Sequence, residues 1–273
     1  MNRVAFTTVT TGGTFEEKIR AMAEAGFTAT ELWARDLFEN FEGPEVALRV
    51  LRDHGMAVCA LQAIRNFEGC AGPERVLKLD IARRMMDLAC LAGTPTITLA
   101  ANVQASANGS TPRLVDDLAC LASEARSRGL RVAYEAIAWA PHVSGFDRAL
   151  ELVETVNDPA LGLQIDVFHA YVRGHVRIAL EHIPVERIFL VELADLPQCR
   201  LGARELSRDM RLFPGEGTAP LTGFVRDLRD IDYRGDVVVE VFNAAYRQQP
   251  PAIAAAQAWR SMQALMTPTR QQL

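Results

Sequence analysis

Four acidic residues, Glu135, Asp166, Glu192 and Glu240, each close a short apolar run: Val-Ala-Tyr-Glu, Leu-Gln-Ile-Asp, Phe-Leu-Val-Glu and Val-Val-Val-Glu. One acid in such a place says little, because helix-capping Asp and solvated Glu are common there. Four in succession say more. If they converge, two charges about 4 Å apart repel by roughly 4 kcal/mol at an effective dielectric near 20. Such a group requires a cation. Carboxylate oxygens are hard ligands, so one divalent ion is expected, Mg²⁺ or Mn²⁺ first, with Co²⁺ or Zn²⁺ as alternatives. The competing reading is that one or two of these acids point outward or pair with arginine.

Other residues near these runs carry chemistry. His169 follows Asp166 by three positions, and His142 follows Glu135 by seven. Histidine is the side chain that accepts and donates a proton near neutral pH, so both are acid–base candidates. Arg65 and Arg211 suit the bidentate grip of a carboxylate, with a surface ion pair as the alternative role. His54, before Gly55, reads as a helix-end residue, and His175 and His182 read as structural or solvated positions on one helix.

The elements that must position these residues follow from the hydrophobic rhythm. Apolar or β-branched runs at 4–8, 30–33, 57–62, 96–100, 130–135, 161–166, 188–192 and 237–241 alternate with stretches of helical spacing. Thr14 ahead of Phe-Glu-Glu-Lys marks a capped helix start. Residues 74–91 place Val76, Leu79, Ala82, Met86, Ala89 and Cys90 on one stripe, and Gly26, Gly55, Gly93 and Gly129 each stand between a helix and the next strand. Strand–helix alternation implies a parallel sheet. Eight units in a chain of 273 residues match a single-domain (β/α)₈ TIM barrel. An open doubly wound sheet is disfavoured, because no Gly-x-Gly-x-x-Gly turn follows the first run. The barrel is expected over 1–266, with 267–273 a frayed polar tail. In a barrel the strand ends meet at one mouth, which is what the four acids require.

Composition narrows the partners. The chain is 49% hydrophobic, carries a formal net charge of −5 and shows no basic cluster, which argues against nucleic acid. No leader pattern and no apolar run of about 20 residues is evident, so a cytoplasmic location away from membranes is expected. The five scattered cysteines include no Cys-x-x-Cys pair and read as reduced thiols, most of them small core residues.

The stretches 134–139 with His142, 162–166 with Phe168 and His169, 193–195, Arg211 with 213–215, and 240–243 together resemble the xylose isomerase-like TIM barrels. This superfamily includes sugar phosphate isomerases and epimerases; within it the resemblance is strongest to bacterial 3-dehydroshikimate dehydratases, with Arg65-Asn66-Phe67-Glu68-Gly69 matching an arginine-containing segment after strand three. The resemblance implies a metal quartet of Glu135, Asp166, Glu192 and Glu240. It implies a lyase that converts 3-dehydroshikimate to protocatechuate through an enolate, with His142, His169, Glu135 and Glu240 as acid–base residues and Arg65 and Arg211 on the substrate carboxylate. One departure stands out: Glu192 occupies a position where these dehydratases usually carry glutamine. The runner-up is a metal-dependent sugar or keto-polyol isomerase or epimerase with the same enolate chemistry. A non-catalytic ligand-binding barrel comes third, and a homo-oligomer is compatible with every reading.

Overall fold

The computed structural model describes residues 2–40 and 42–267; the expected tail falls outside them except for Thr267. The chain opens with β1 (Val4–Thr7), α1 (Phe15–Ala25), β2 (Ala29–Trp33), α2 (Ala34–Phe38), α3 (Pro44–Asp53) and β3 (Ala57–Arg65). It continues through α4 (Gly72–Leu91), β4 (Thr96–Ala100), α5 (Thr111–Ser127), β5 (Arg131–Glu135), α6 (Phe146–Val156), β6 (Leu161–Asp166) and α7 (Val167–Tyr171). It ends with β7 (Ile188–Leu193), α8 (Ala203–Asp209), α9 (Leu221–Asp230), β8 (Val237–Val239), α10 (Ala244–Gln248) and α11 (Pro251–Met266). Every strand pairs in parallel with its sequence neighbour, and β1 pairs with β8 to close an eight-stranded barrel.

The strands are buried on both faces, which is why they read as near-continuous apolar runs rather than alternating ones. Parity divides the two faces. Ala5, Ala29, Cys59, Ala60, Ala133, Leu190 and Val238, with Phe189, form a compact inner cluster. Glu31, Glu135, Glu192 and Glu240 each lie two residues beyond a member of that cluster, on the same face of their strands. The opposite faces pack against the helices; Phe27, for example, stacks on Phe6 at 5.1 Å and meets Trp259 of α11 edge-on at 4.9 Å.

Local chemistry sets the helix ends. Thr14 and Glu17 form the expected capping box, with the Glu17 amide donating to Thr14 Oγ1 at 3.3 Å and the Thr14 amide to Glu17 Oε2 at 2.8 Å. Gly26 ends α1 with φ +114, and an added Cβ there would lie 2.8 Å from the Trp259 ring. Gly55, Gly93 and Gly129 also have positive φ.

Three expectations need correction. Val76 and Cys90 are exposed on α4, whose buried positions are Ala82, Met85, Met86, Leu88 and Ala89. In the first half of α4, Val76, Leu77 and Ile81 are exposed, while Leu79 packs partly against the core. His175 and His182 share no helix: α7 ends at Tyr171, and His182 lies in a separate 3₁₀ turn, Leu180–His182. Cys59 and Cys70 are buried, but Cys90 and Cys199 are exposed and Cys120 lies between; all five are free thiols. Among the described residues, no helix is long and apolar enough to cross a membrane.

Phe27 joins the inner strand layer to α11, so Phe27→Ala should cost about 3–5 kcal/mol, the usual range for an aromatic core truncation. Urea unfolding measures it, and a cost below about 1 kcal/mol would mean that α11 is not clamped through this residue.

Candidate metal centre

Glu135 and Asp166 are the last residues of β5 and β6, Glu192 is the penultimate residue of β7, and Glu240 directly follows β8. All four are buried, from 1% exposure for Glu192 to 7% for Glu135. The closed sheet brings them to one end of the barrel, beside a small cavity that Glu135, Gln164, His169, Arg211 and Glu240 help to line. A fifth acid joins them. Glu31 sits inside β2, entirely buried, where the register against β3 shifts between Thr30 and Glu31.

The group is electrically crowded. Burial, and then neighbouring acids, hold Glu135 and Glu192 well above the ordinary carboxylate range; burial does the same for Glu31. Glu240 is raised by burial too, with Arg211 pulling the other way. Both oxygens of Glu31 and both of Glu192 are buried with no donor from any other described residue, and the two carboxyls lie within hydrogen-bond reach of each other. Orphaned acceptors of that kind are costly unless a proton or a cation meets them. Several hard oxygen donors facing a small polar space fit a divalent cation.

Arg211 is placed differently from the expected substrate clamp. It is 2% exposed, and Nη1 donates to Asp166 Oδ2 at 2.7 Å and to Glu240 Oε2 at 3.1 Å. Nε donates to the Ser207 carbonyl at 3.1 Å, Nη2 to Ser207 Oγ at 3.0 Å, and Phe168 and Phe242 cover the guanidinium faces. Burial alone would make this cation easier to deprotonate, but the surrounding acids outweigh it and hold the proton more firmly than usual. Arg211 therefore serves the acids as their counter-ion, with no donor left for a carboxylate.

His169 lies in α7, immediately past β6. Its Nε2 is 3.4 Å from Glu135 Oε1 and 3.5 Å from Asp166 Oδ2, while Nδ1 accepts from the Ala138 amide at 3.4 Å. Burial lowers its pKa to about 4, so the ring is neutral at pH 7; Nε2 also lies 3.4 Å from Arg211 Nη2. His142 is elsewhere. Its Nε2 bonds the Ala107 carbonyl at 2.8 Å and its ring packs on Gly109, where an added Cβ would sit 2.1 Å from Nδ1. It does not line the cavity, which corrects the expectation of a second acid–base histidine.

Arg65 ends β3 and lines the cavity with an exposed side chain. The segment after it is braced by Glu68, which accepts from the Asn102 amide at 2.6 Å and from Tyr134 Oη at 2.9 Å. Arg208, unremarked in the sequence, lines the same cavity over the Trp139 ring at 5.9 Å. Burial and the nearby Arg65, Arg204 and Arg211 lower its pKa, as expected of a half-buried cation without a counter-ion. No ion pair of Arg65 or Arg208 occurs among the described residues. Asp195, in the Leu193-Ala194-Asp195 motif, is a brace. Its carboxylate accepts from the amides of Leu196, Gly215 and Ala219, each at 2.8 Å, and fixes the turn after Phe213.

This geometry agrees with what the chain is similar to. The sequence pattern of the xylose isomerase-like TIM barrel matches residues 19–263. The chain belongs to that family. A 3-dehydroshikimate dehydratase of Pseudomonas putida is 38% identical over 266 residues, covering 97% of this chain and 42% of that protein. The chain thus spans about two fifths of the length of this relative. A solved xylose isomerase-like TIM barrel/4-hydroxyphenylpyruvate dioxygenase fusion protein superposes with a TM-score of 0.93 at 37% identity, covering 97% of this chain and 42% of that one. The IOLI protein, solved with a bound zinc atom, superposes with a TM-score of 0.86 at 20% identity over 97% of this chain and 98% of that one, a likeness of fold alone.

Removing the counter-ion should separate the two arginines. In chelator, Arg211→Met should destabilise the protein by about 3–5 kcal/mol, because it leaves buried charges unpaired. Arg65→Ala should change stability by less than about 0.5 kcal/mol. Equal effects in denaturant titrations would mean that Arg211 is not the charge partner of the acids.

Proposed function

We propose that this barrel is a divalent-metal-dependent lyase that dehydrates 3-dehydroshikimate to protocatechuate. The observation that carries the reading is the pairing of an inward acid cluster with two uncompensated guanidiniums, Arg65 and Arg208, on the wall of one cavity. The dehydratase name of the 38%-identical relative supports it. Glu135, Asp166, Glu192 and Glu240 would hold the cation, with Mg²⁺ or Mn²⁺ matched to a carboxylate set and Co²⁺ or Zn²⁺ as alternatives. When bound, the ion supplies electrophilic polarisation of the ring ketone.

The remaining work falls to the side chains. The reaction removes a proton from the carbon beside the ketone, expels the β-hydroxyl as water, and becomes aromatic as a further ring carbon loses a proton and the ketone oxygen gains one. Neutral His169, with Nε2 beside Glu135 and Asp166, is suited to take up the proton removed from carbon and then to deliver it to the departing hydroxyl. Glu135, 3.4 Å from that nitrogen, is suited to take the carbon proton, with Glu240 as the other carboxylate within the cavity. Arg65 grips the substrate carboxylate from the cavity rim, with Arg208 opposite Trp139 as its partner. Arg211 contributes indirectly by holding Asp166 and Glu240. A sugar isomerase would use the same acids, but a neutral sugar has no need of two free guanidiniums.

Incubating the protein with Mn²⁺ and 3-dehydroshikimate should produce the absorbance of protocatechuate. Glu240→Gln should lower kcat by at least about a thousandfold while circular dichroism stays unchanged. Arg65→Ala should raise KM about tenfold or more, corresponding to about 1.4 kcal/mol, with kcat little altered. Turnover of a neutral ketose without protocatechuate formation would reject the dehydratase reading in favour of an isomerase.

A further inference from the structure

Arg65 grips the substrate in the reading above, yet no side chain of the described residues holds its guanidinium. It is exposed on the cavity wall, and Lys78 Nζ donates only to its carbonyl, at 3.2 Å. A long side chain left free in this way samples many rotamers. Its place over the cavity therefore comes from the backbone that carries it, the end of β3 and the segment 66–70 that follows.

That segment is tightly held. Phe67, Glu68, Gly69 and Cys70 are buried, and a buried loop must find partners for its polar groups. Asn66 has φ +50, and its Oδ1 accepts from the Val103 amide at 3.1 Å. The Gly69 amide donates to Asp117 Oδ2 and its carbonyl accepts from the Asn108 amide, both at 2.9 Å. Gly69 itself has φ +79, and an added Cβ would lie 2.9 Å from the Asn108 carbonyl oxygen. Glu68 is the hub. It is 1% exposed, its Oε1 accepts from the Asn102 amide at 2.6 Å and from Tyr134 Oη at 2.9 Å, and its own carbonyl accepts from Asn102 Nδ2 at 2.7 Å. One side chain thus joins the segment to β5 and to the stretch after β4.

We propose that Glu68 is a positioning residue for Arg65: by tying the segment after β3 to Asn102 and Tyr134, it holds the guanidinium over the cavity and sets the affinity for the substrate carboxylate. This rests on the reading of Arg65 as the carboxylate grip. An acid is an unexpected choice for a mere brace. Glu68 has no ion pair among the described residues, because the nearby Arg75 and Arg113 both pair with Asp117. Its Oε2 has no partner, and burial raises its carboxyl to about 7. What the position requires is an oxygen that accepts two bonds at once. Tyr134 completes the connection, since it directly precedes Glu135 on β5. The strand that carries an acid of the site also carries the donor that fixes the segment of the arginine, so the two ends of the substrate pocket keep one register.

Substrate titrations on the full chain with Mn²⁺ test this. Glu68→Ala should raise KM for 3-dehydroshikimate about fivefold or more with kcat little altered, because the grip is misplaced while the reacting groups stay intact. Glu68→Gln, which keeps an oxygen for both donors, should restore the wild-type KM. Glu68→Ala combined with Arg65→Ala should raise KM no further than Arg65→Ala alone. Additive effects, or a Glu68→Gln chain as impaired as Glu68→Ala, overturn the proposal. Should Glu68→Ala not fold, Tyr134→Phe removes one of the two bonds and carries the same expectations at smaller amplitude. The crystal structure of the folded variant supplies a readout that needs no substrate: Arg65 should be displaced from the cavity wall, and an unmoved Arg65 overturns the proposal. If the wild type forms no protocatechuate, the dehydratase reading fails, and the position of Arg65 in the variant still decides the role of Glu68.

Discussion

The interaction on which the site depends is the guanidinium of Arg211 held between Asp166 and Glu240 in a nearly solvent-free space. A closed parallel barrel turns every second residue of each strand inward and brings neighbouring strand ends within a few ångströms. Acids placed there cannot avoid one another, and the low local dielectric strengthens each repulsion. One buried arginine stabilises part of the cluster and leaves the remainder in need of a mobile cation. The arginine is itself fixed by Ser207 and by the Phe168 and Phe242 rings, so α8 and the loop after β8 are tied to the same charge.

That constraint explains the division of labour around the mouth. Arg211 has spent its donors on the protein, whereas Arg65 and Arg208 face the cavity without counter-ions. A site with acids beneath and free guanidiniums on the rim favours a ligand with oxygen donors at one end and a negative charge at the other. The family shares the barrel; the rim cations are the feature that favours an anionic ligand here.

The barrel was legible in the sequence because its strands are buried on both faces and its helices end at glycines with positive φ. The strand-end acids were legible for a related reason: Glu135, Asp166, Glu192 and Glu240 each follow at least three residues without a charge at the end of a buried strand. Glu31 was not, although it interrupts the buried run Ala-Thr-Glu-Leu-Trp, because one acid within a short strand looks like an outward-facing residue until the bulge and parity are known. Arg211 was recognised as a candidate, but its pairing with Asp166 and Glu240 was not; no pattern of residue types tells a buried counter-ion from a free clamp. Arg208, three residues earlier and within α8, was hidden for the same reason. His142 and His169 look equivalent as loop histidines, and only the path of the loop separates them, since His142 packs on Gly109 and His169 faces Glu135.

Everything at the mouth of the barrel depends on whether the acid cluster is a cation site in the folded protein. The most direct measurement is the thermal midpoint of the full chain in chelator and again with excess Mn²⁺. Binding to the native state alone at a hundred times Kd contributes about 2.7 kcal/mol, so the midpoint should rise by several degrees in the wild type and much less in Asp166→Asn. An equal midpoint with and without Mn²⁺ in the wild type would contradict it.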